Sequence, residues 1–266
     1  MSRKILLTGP DGFVGNKILR AYREDIIPAP SLRYSSEDDI KRIVEESGAD
    51  AIIHTAAISD IGVCQNNPEM SYRANVILPV LLAKASSGRK LICFSSDQVY
   101  SGAECEGPYT EDDVRPANIY AEHKLEMENR VLDIAPDAVM LRAEWMYDHM
   151  SERHNYLKNV LEGQVTFSSR QYRGVTYLRE VAEAVPAVLE LPGGSYNFGS
   201  ETDQSMYEIT EEFLKYLGRK DRAVDTPPRH NLWMDCSKAV RNGVVFSSVL
   251  DGLKRCADDY GLRESH

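Results

Sequence analysis

Tyr120 and Lys124 stand four residues apart in the segment PANIYAEHK, residues 116–124, a spacing that puts a phenol and an ammonium on one face of a helix. An unperturbed tyrosine has a pKa of about 10, so it exchanges its proton near neutrality only where phenolate is favoured. An ammonium beside it supplies that bias. The pair can therefore hand a proton to a carbonyl oxygen. A further hydroxyl suits the same chemistry, since Ser96, in LICFSSDQVY at 91–100, lies 24 residues before Tyr120. The apolar strand before it would deliver Ser95 and Ser96 to one edge of a site, where one hydroxyl could bind the carbonyl together with the tyrosine. A lone YxxxK is common by chance, and a serine pair after a strand is an ordinary turn. The coincidence of the two carries the weight.

Those groups need a partner that supplies electrons, and the chain opens with a segment suited to holding one. Ile5-Leu6-Leu7 reads as a strand that runs into GPDGFVG at 9–15 and then into an amphipathic helix. The glycines form GxxGxxG, not the more familiar GxGxxG. Gly9 is assigned to the turn, Gly12 to close approach of a pyrophosphate, and Gly15 to helix packing, with the helix start offering unpaired N–H donors. Thr55-Ala56-Ala57 follows a second apolar strand and would set small residues beside a dinucleotide. Lys124 could then bind a nicotinamide ribose hydroxyl. Ile26-Ile27-Pro28-Ala29-Pro30 ends without the carboxylate that would favour the free ribose of NAD, whereas Arg33 could meet the added phosphate of NADP. NADP is accordingly preferred to NAD. Asn75, in YRAN, is read as holding a loop or facing solvent.

The elements that must position these groups alternate. Strands are expected at Arg3–Thr8, Asp50–His54, Lys90–Ser95 and Ala138–Leu141. Helices are expected at Phe13–Glu24, Ser36–Ser47, Pro68–Ser86, Asn118–Leu132 and Arg153–Leu161. Such crossings favour an α/β fold, a doubly wound parallel sheet covered on both faces. After about Glu162 the pattern breaks into short pieces: strands at 164–167 and 196–198, helices at 178–191, 206–217 and 249–260, and a proline-bearing loop at 222–231. The division expected is a nucleotide-binding domain over 1–162 and a smaller C-terminal substrate-binding lobe over 163–266, with some lobe elements returning to the first domain.

At 266 residues the chain can bury a sizeable core. Its net charge of -10 is spread without a basic stripe, which argues against nucleic acid as a partner. No apolar run approaches the roughly 20 residues of a membrane span and no N-terminal apolar signal is present, so the expectation is a soluble cytoplasmic protein. The five cysteines, at 64, 93, 105, 236 and 256, form no CxxC pair; they read as reduced structural thiols. No metal site is expected.

The motifs GPDGFVG, HTAA, YRAN, SSDQVY, PANIYAEHKLEMEN and LRAEWMY, followed by RQYRGVT at 170–176, LREVA at 178–182 and NLWMDCS at 231–237, give a chain that resembles the extended short-chain dehydrogenase/reductase superfamily. Within it the chain resembles the dTDP-4-dehydrorhamnose reductase branch, over nearly its whole length. The resemblance implies a Rossmann-like fold and a catalytic trio of Ser96, Tyr120 and Lys124. It also implies cofactor contacts at Gly9, Gly12, Phe13, Val14, Ala56 and Ala57, and a supporting or structurally paired Arg142. The chain departs from the branch at Ala121, His123, Arg170 and Val175, and at Glu144 and Trp145, where small polar and aromatic residues are commoner.

The activity implied is NAD(P)-dependent reduction of a nucleotide-linked 4-keto sugar or a related carbonyl compound. One alternative is an epimerase or dehydratase, although Asp97-Gln98 stands where a dehydratase would more readily show Asp-Glu. The other is a non-catalytic NADP-binding regulatory subunit, like the methionine adenosyltransferase regulatory protein that resembles the same branch. Oligomeric state is left open by the sequence.

Overall fold

The computed structural model describes residues 3–150, 155–227 and 231–263. Residues 153–154 of the helix expected at 153–161, and 228–230 of the loop expected at 222–231, lie outside the described residues. Six parallel strands form the central sheet in the order β2-β1-β3-β4-β5-β9: β1 (Ile5–Thr8), β2 (Ile26–Pro28), β3 (Ala51–His54), β4 (Lys90–Ser96), β5 (Val139–Ala143) and β9 (Gly194–Phe198). The chain steps outward from β1 to β2, returns across β1 to β3, and from there proceeds the other way. The reversal lies between β1 and β3, and a crevice at the carboxyl ends of these strands is where open α/β sheets bind ligands.

Strand alternation divides the core into two layers. Ile5, Leu7, Ile53, Ile92, Phe94, Val139 and Leu141 face α1 (Phe13–Ala21), through Ile18, and α8 (Leu178–Glu183) with α9 (Val185–Glu190). Leu6, Ile52, Leu91, Cys93 and Met140 face α2 (Glu37–Ser47), α5 (Leu78–Ser86) and α6 (Ile119–Ile134). Both faces are buried, which is why these strands read as unbroken apolar runs. Helix ends follow local chemistry. Ser36 caps α2 through a reciprocal pair with Asp39, and Gly48 closes it at φ 60°. Asn118 caps α6 by accepting from the Ala121 N–H.

The expected helix over 68–86 is present as α4 (Pro68–Tyr72), a wider π turn at Arg73–Ile77, and α5. Asn75 lies in that turn. Its Oδ1 accepts from Ile58 N at 3.2 Å and its Nδ2 donates to Ile58 O at 2.9 Å, so it holds a loop, one of the two roles read from the sequence. The expected helix over 178–191 is broken at Ala184. Pro186 cannot donate to the carbonyl four residues back and its ring crowds that position, so α9 starts afresh with the proline in its first turn.

The C-terminal half supplies β9 as the sixth strand, in register with β5 from Val139↔Gly194 to Ala143↔Phe198. Its helices α8 and α9 pack on that sheet, and other elements build a separate apolar cluster. Two short strands not anticipated from sequence, β6 (Trp145–Tyr147) and β8 (Val175–Tyr177), pair in parallel. They pack with α7 (Tyr156–Leu161), α10 (Met206–Leu217) and α12 (Val249–Asp259) around Tyr147, Tyr177, Phe213 and Leu253. The loop expected at 222–231 contains β10 (Val224–Asp225), paired with β7 (Thr166–Phe167). Short helices α3 (Ile61–Asn66) and α11 (Ser237–Arg241) were likewise unanticipated. No helix among the described residues is long and apolar enough to cross a membrane.

Candidate active site

A cavity of about 1170 Å³ runs along the carboxyl ends of the central strands. Its walls include Gly9, Gly12, Phe13, Val14, Arg33, Ala56, Ala57, Ser95, Ser96, Tyr120 and Lys124, so eleven of the twelve site residues expected from sequence meet around one space. Gly15 is the exception. It is buried behind the turn, where an added Cβ would overlap Gly9 O and lie 2.8 Å from Thr55 Oγ1. Its place is helix packing, as the spacing indicated, and not a wall of the cavity.

The glycine turn is built for close approach. Gly9 has φ 70°, and a Cβ there would fall 2.8 Å from Ala56 N, so the left-handed turn and its contact with the β3 loop both require glycine. Gly12 is the N-cap of α1, with no side-chain cap and no acidic residue in the first turn. That helix start presents its dipole to the cavity, with Asp11 as the carboxylate just before the cap. The turn, the helix start and a cavity of about 1170 Å³ fit a dinucleotide. Arg33 and Arg73 line the far end; Arg33 is exposed, and Arg73 Nη2 donates to Ser35 O at 2.5 Å.

At the other end, α6 carries Tyr120 and Lys124 on one face. Both are buried, at 6% and 2% exposure. Lys124 Nζ donates to Phe94 O at 2.6 Å and lies 5.9 Å from the centre of the Tyr120 ring. Burial pulls the Lys124 ammonium down from 10.5 to about 8, despite the opposing pull of Cys93 and Glu128. His54 also borders the cavity, hydrogen-bonded to Thr8 Oγ1 at 2.7 Å. Burial, with the Lys124 charge added, pushes its imidazole down to about 3, so His54 is neutral at pH 7.

The two serines are not equivalent, because successive strand residues face opposite ways. Ser95 borders the cavity, yet its hydroxyl donates to Glu128, which also receives Ser195 Oγ at 2.8 Å and pairs with Arg142 at 2.7 Å. Arg142 donates further to Tyr100 Oη and Glu111 O. It is a buried structural pair and does not line the cavity. Ser96 Oγ accepts from Gln98 N at 3.2 Å and donates to Asp97 Oδ1 at 3.1 Å; a hydroxyl rotor held by so long a bond can turn to another acceptor.

Sequence reasoning did not single out Arg173 or His54 as site residues, and it weighed Asp97 only as part of a dipeptide. Arg173 Nη2 pairs with Asp97 Oδ2 at 2.8 Å and its guanidinium lies 5.4 Å from the Trp145 ring centre. No local pattern marks Arg173, whose partners come from strand ends remote in sequence.

The doubly wound sheet, the glycine turn and the buried Tyr-Lys pair with its serine define a protein of the extended short-chain dehydrogenase/reductase class. Within it, the chain belongs to the RmlD substrate binding domain family, which it matches over residues 3–234. Methionine adenosyltransferase 2 subunit beta of Xenopus laevis is 26% identical over 91% of this chain and 83% of its own length. dTDP-4-dehydrorhamnose reductase of Mycolicibacterium smegmatis is 30% identical over 55% of this chain and 47% of its own. The crystal structure of dTDP-4-dehydrorhamnose reductase from Bacillus anthracis in complex with NADP superposes with a TM-score of 0.85 at 22% identity, covering 97% of this chain and 99% of that one.

Proposed function

We propose that this protein is an NADP-dependent reductase of a nucleotide-linked 4-keto sugar. The observation that carries the reading is the convergence of a pyrophosphate-type glycine turn, the Ser96 hydroxyl, Tyr120 and a buried Lys124 on one cavity. Similarity to dTDP-4-dehydrorhamnose reductases, one of them crystallised with NADP, supports both the substrate class and the cofactor.

NADPH, when bound, supplies the hydride that the carbonyl carbon receives. Gly9, Gly12, Phe13, Val14, Ala56 and Ala57 would hold its dinucleotide portion, and Arg33 its added phosphate. Tyr120 donates its hydroxyl proton to the carbonyl oxygen, so that ketone, hydride and proton together give the alcohol. Ser96 turns its hydroxyl to that oxygen and orients it. Lys124 biases Tyr120 toward phenolate and, with donors left after Phe94 O, holds a ribose hydroxyl. Ser96, Tyr120 and Lys124 are themselves buried, so their dipoles and charge act on the developing alkoxide with less screening than in water.

The test is turnover of dTDP-4-dehydrorhamnose and other nucleotide-linked keto sugars at saturating NADPH. Tyr120→Phe should keep fold and cofactor affinity and lose about 100-fold or more in turnover, the scale of a positioned proton donor. Near-parental turnover in that variant would remove Tyr120 from the mechanism. A second reading is supported by the similarity to methionine adenosyltransferase 2 subunit beta across 91% of the chain: a regulatory subunit that binds NADP without turning anything over. NADPH binding with no reduction across the panel would favour it.

A further inference from the structure

The substrate end of the cavity contains a carboxyl group that the proton transfer from Tyr120 does not use. Glu144 follows Ala143, the β5 residue in register with Ser96, so it leaves the sheet beside the reaction centre. It lines the cavity with Asp97, Tyr120 and Arg173, and is 6% exposed. Oε1 accepts from Thr176 Oγ1 and, at 2.8 Å, from Ser200 N. No described residue hydrogen-bonds Oε2. Two glycines make the room: a Cβ on Gly174 would fall on Oε2, and one on Gly199 on the carboxyl carbon. The slot is shaped for this side chain.

Among the described residues, three charged or titratable groups face it: Asp97 from the turn after β4, Arg173 from the loop before β8, and Cys236 from the segment before α11. Arg173 is bonded to Asp97 at 2.8 Å, so its charge is largely answered there, and the buried thiol of Cys236 is held neutral. Burial, with Asp97 adding to it, lifts the Glu144 carboxyl to about 8 against the hydrogen bonds from Thr176 and Ser200. At neutral pH the proton is therefore retained. Because Oε1 already receives two donors, the proton belongs on Oε2.

We propose that Glu144 is a substrate-contacting, specificity-determining residue: as a neutral carboxylic acid it donates from Oε2 to an uncharged oxygen of the sugar, a ring hydroxyl beside the reacting carbonyl. This rests on the nucleotide-sugar reading above. It selects against a substrate that carries an ammonium at that position, since a cation would require the ionised form.

The probe is dTDP-rhamnose, the product-side ligand of the proposed reaction, titrated by calorimetry into NADP-loaded protein between about pH 6 and about pH 9.5. For the parent protein, affinity should fall about tenfold as pH rises through the ionisation of the acid, because the sugar hydroxyl can reverse its bond but the ligand strips water from the charged carboxylate and brings its own anionic diphosphate. Glu144→Gln keeps the acceptor for Thr176 and Ser200 and presents an amide donor that does not titrate; its affinity should lie within about threefold of parental at low pH and stay flat relative to the parent. Lys124 titrates in both proteins, so the difference between the two curves isolates residue 144. Glu144→Ala should bind about tenfold more weakly at pH 6. Parent and Glu144→Gln curves that superpose, a parental affinity that rises with pH, or parental affinity in Glu144→Ala would each overturn the proposal. NADPH binding by the parent with no binding of dTDP-rhamnose or of any other nucleotide-linked sugar in the panel would instead overturn the nucleotide-sugar reading on which it rests.

Discussion

Replacing Lys124 by Met should make the protein more stable and useless as a reductase. Lys124 is 2% exposed, and burial brings its ammonium from 10.5 to about 8. At about 1.4 kcal/mol for each pH unit, keeping that charge inside costs about 3 kcal/mol at pH 7. Methionine fills nearly the same volume without charge. It forfeits the bond to Phe94 O, worth about 1 kcal/mol, or up to about 3 if the carbonyl is left dry. The net expectation at pH 7 is a gain of up to about 2 kcal/mol, shrinking to about zero if Phe94 O is left dry, read by urea unfolding without added nucleotide. The sign of the pH dependence follows from linkage. Between about 8 and 10.5 the unfolded chain binds the lysine proton and the folded chain does not, so this group's share of stability rises with pH across that window. The gap between Lys124→Met and the parent should therefore shrink from pH 7 toward pH 10.5; taking the difference cancels the other lysines and tyrosines. Turnover in the variant should fall by about 100-fold or more. A variant less stable than the parent at pH 7, or a gap that widens as pH rises, would refute the account of Lys124 as a charge held against its own burial.

Gly12→Asp places bulk and negative charge at the N-terminus of α1 where a pyrophosphate would sit, and should weaken NADPH and NADH about tenfold or more; unchanged affinity by calorimetry would dismiss the turn as the dinucleotide site. Arg33→Ala should erase the preference for NADP over NAD, and a preference that survives would point to Arg73, which lines the same end of the cavity. Glu128→Ala leaves the Arg142 guanidinium buried without its carboxylate, a loss of about 3–5 kcal/mol; urea unfolding that shows less than about 1 kcal/mol would mean that water or Tyr100 replaces the pair.

What the sequence made legible is what local spacing encodes. The i, i+4 relation of Tyr120 and Lys124 survives as one face of α6 because a helix preserves it, and the strand–glycine–helix order of residues 5–21 survives as β1, turn and α1. The distinction between Ser95 and Ser96 needed the partner of each: strand alternation says that they differ, but only Glu128 on α6 decides which faces the core. The group formed by Asp97, Glu144 and Arg173 draws on three segments joined by the ends of β4, β5 and β8, and no window of sequence holds more than one of them. The break at Ala184 is different. Its signal, Pro186, was present, and the apolar periodicity on either side concealed it.

The anchorage of α6 has a consequence for how such a protein can change. Glu128 receives Ser95 from β4, pairs with Arg142 from β5 and receives Ser195 from β9, so one carboxylate ties the helix to three adjacent strands. Tyr120 is on the same helix, two turns earlier. Its position is thereby referenced to the sheet, whereas Glu144, Trp145 and Arg173 lie on connections beyond the strand ends. On the proposed function, drift in those connections, or their exchange by design between chains of this architecture, would alter which substrate is accepted while Tyr120, the proposed proton donor, stays put. Substrate choice and chemical competence become separable traits, each open to selection without the other.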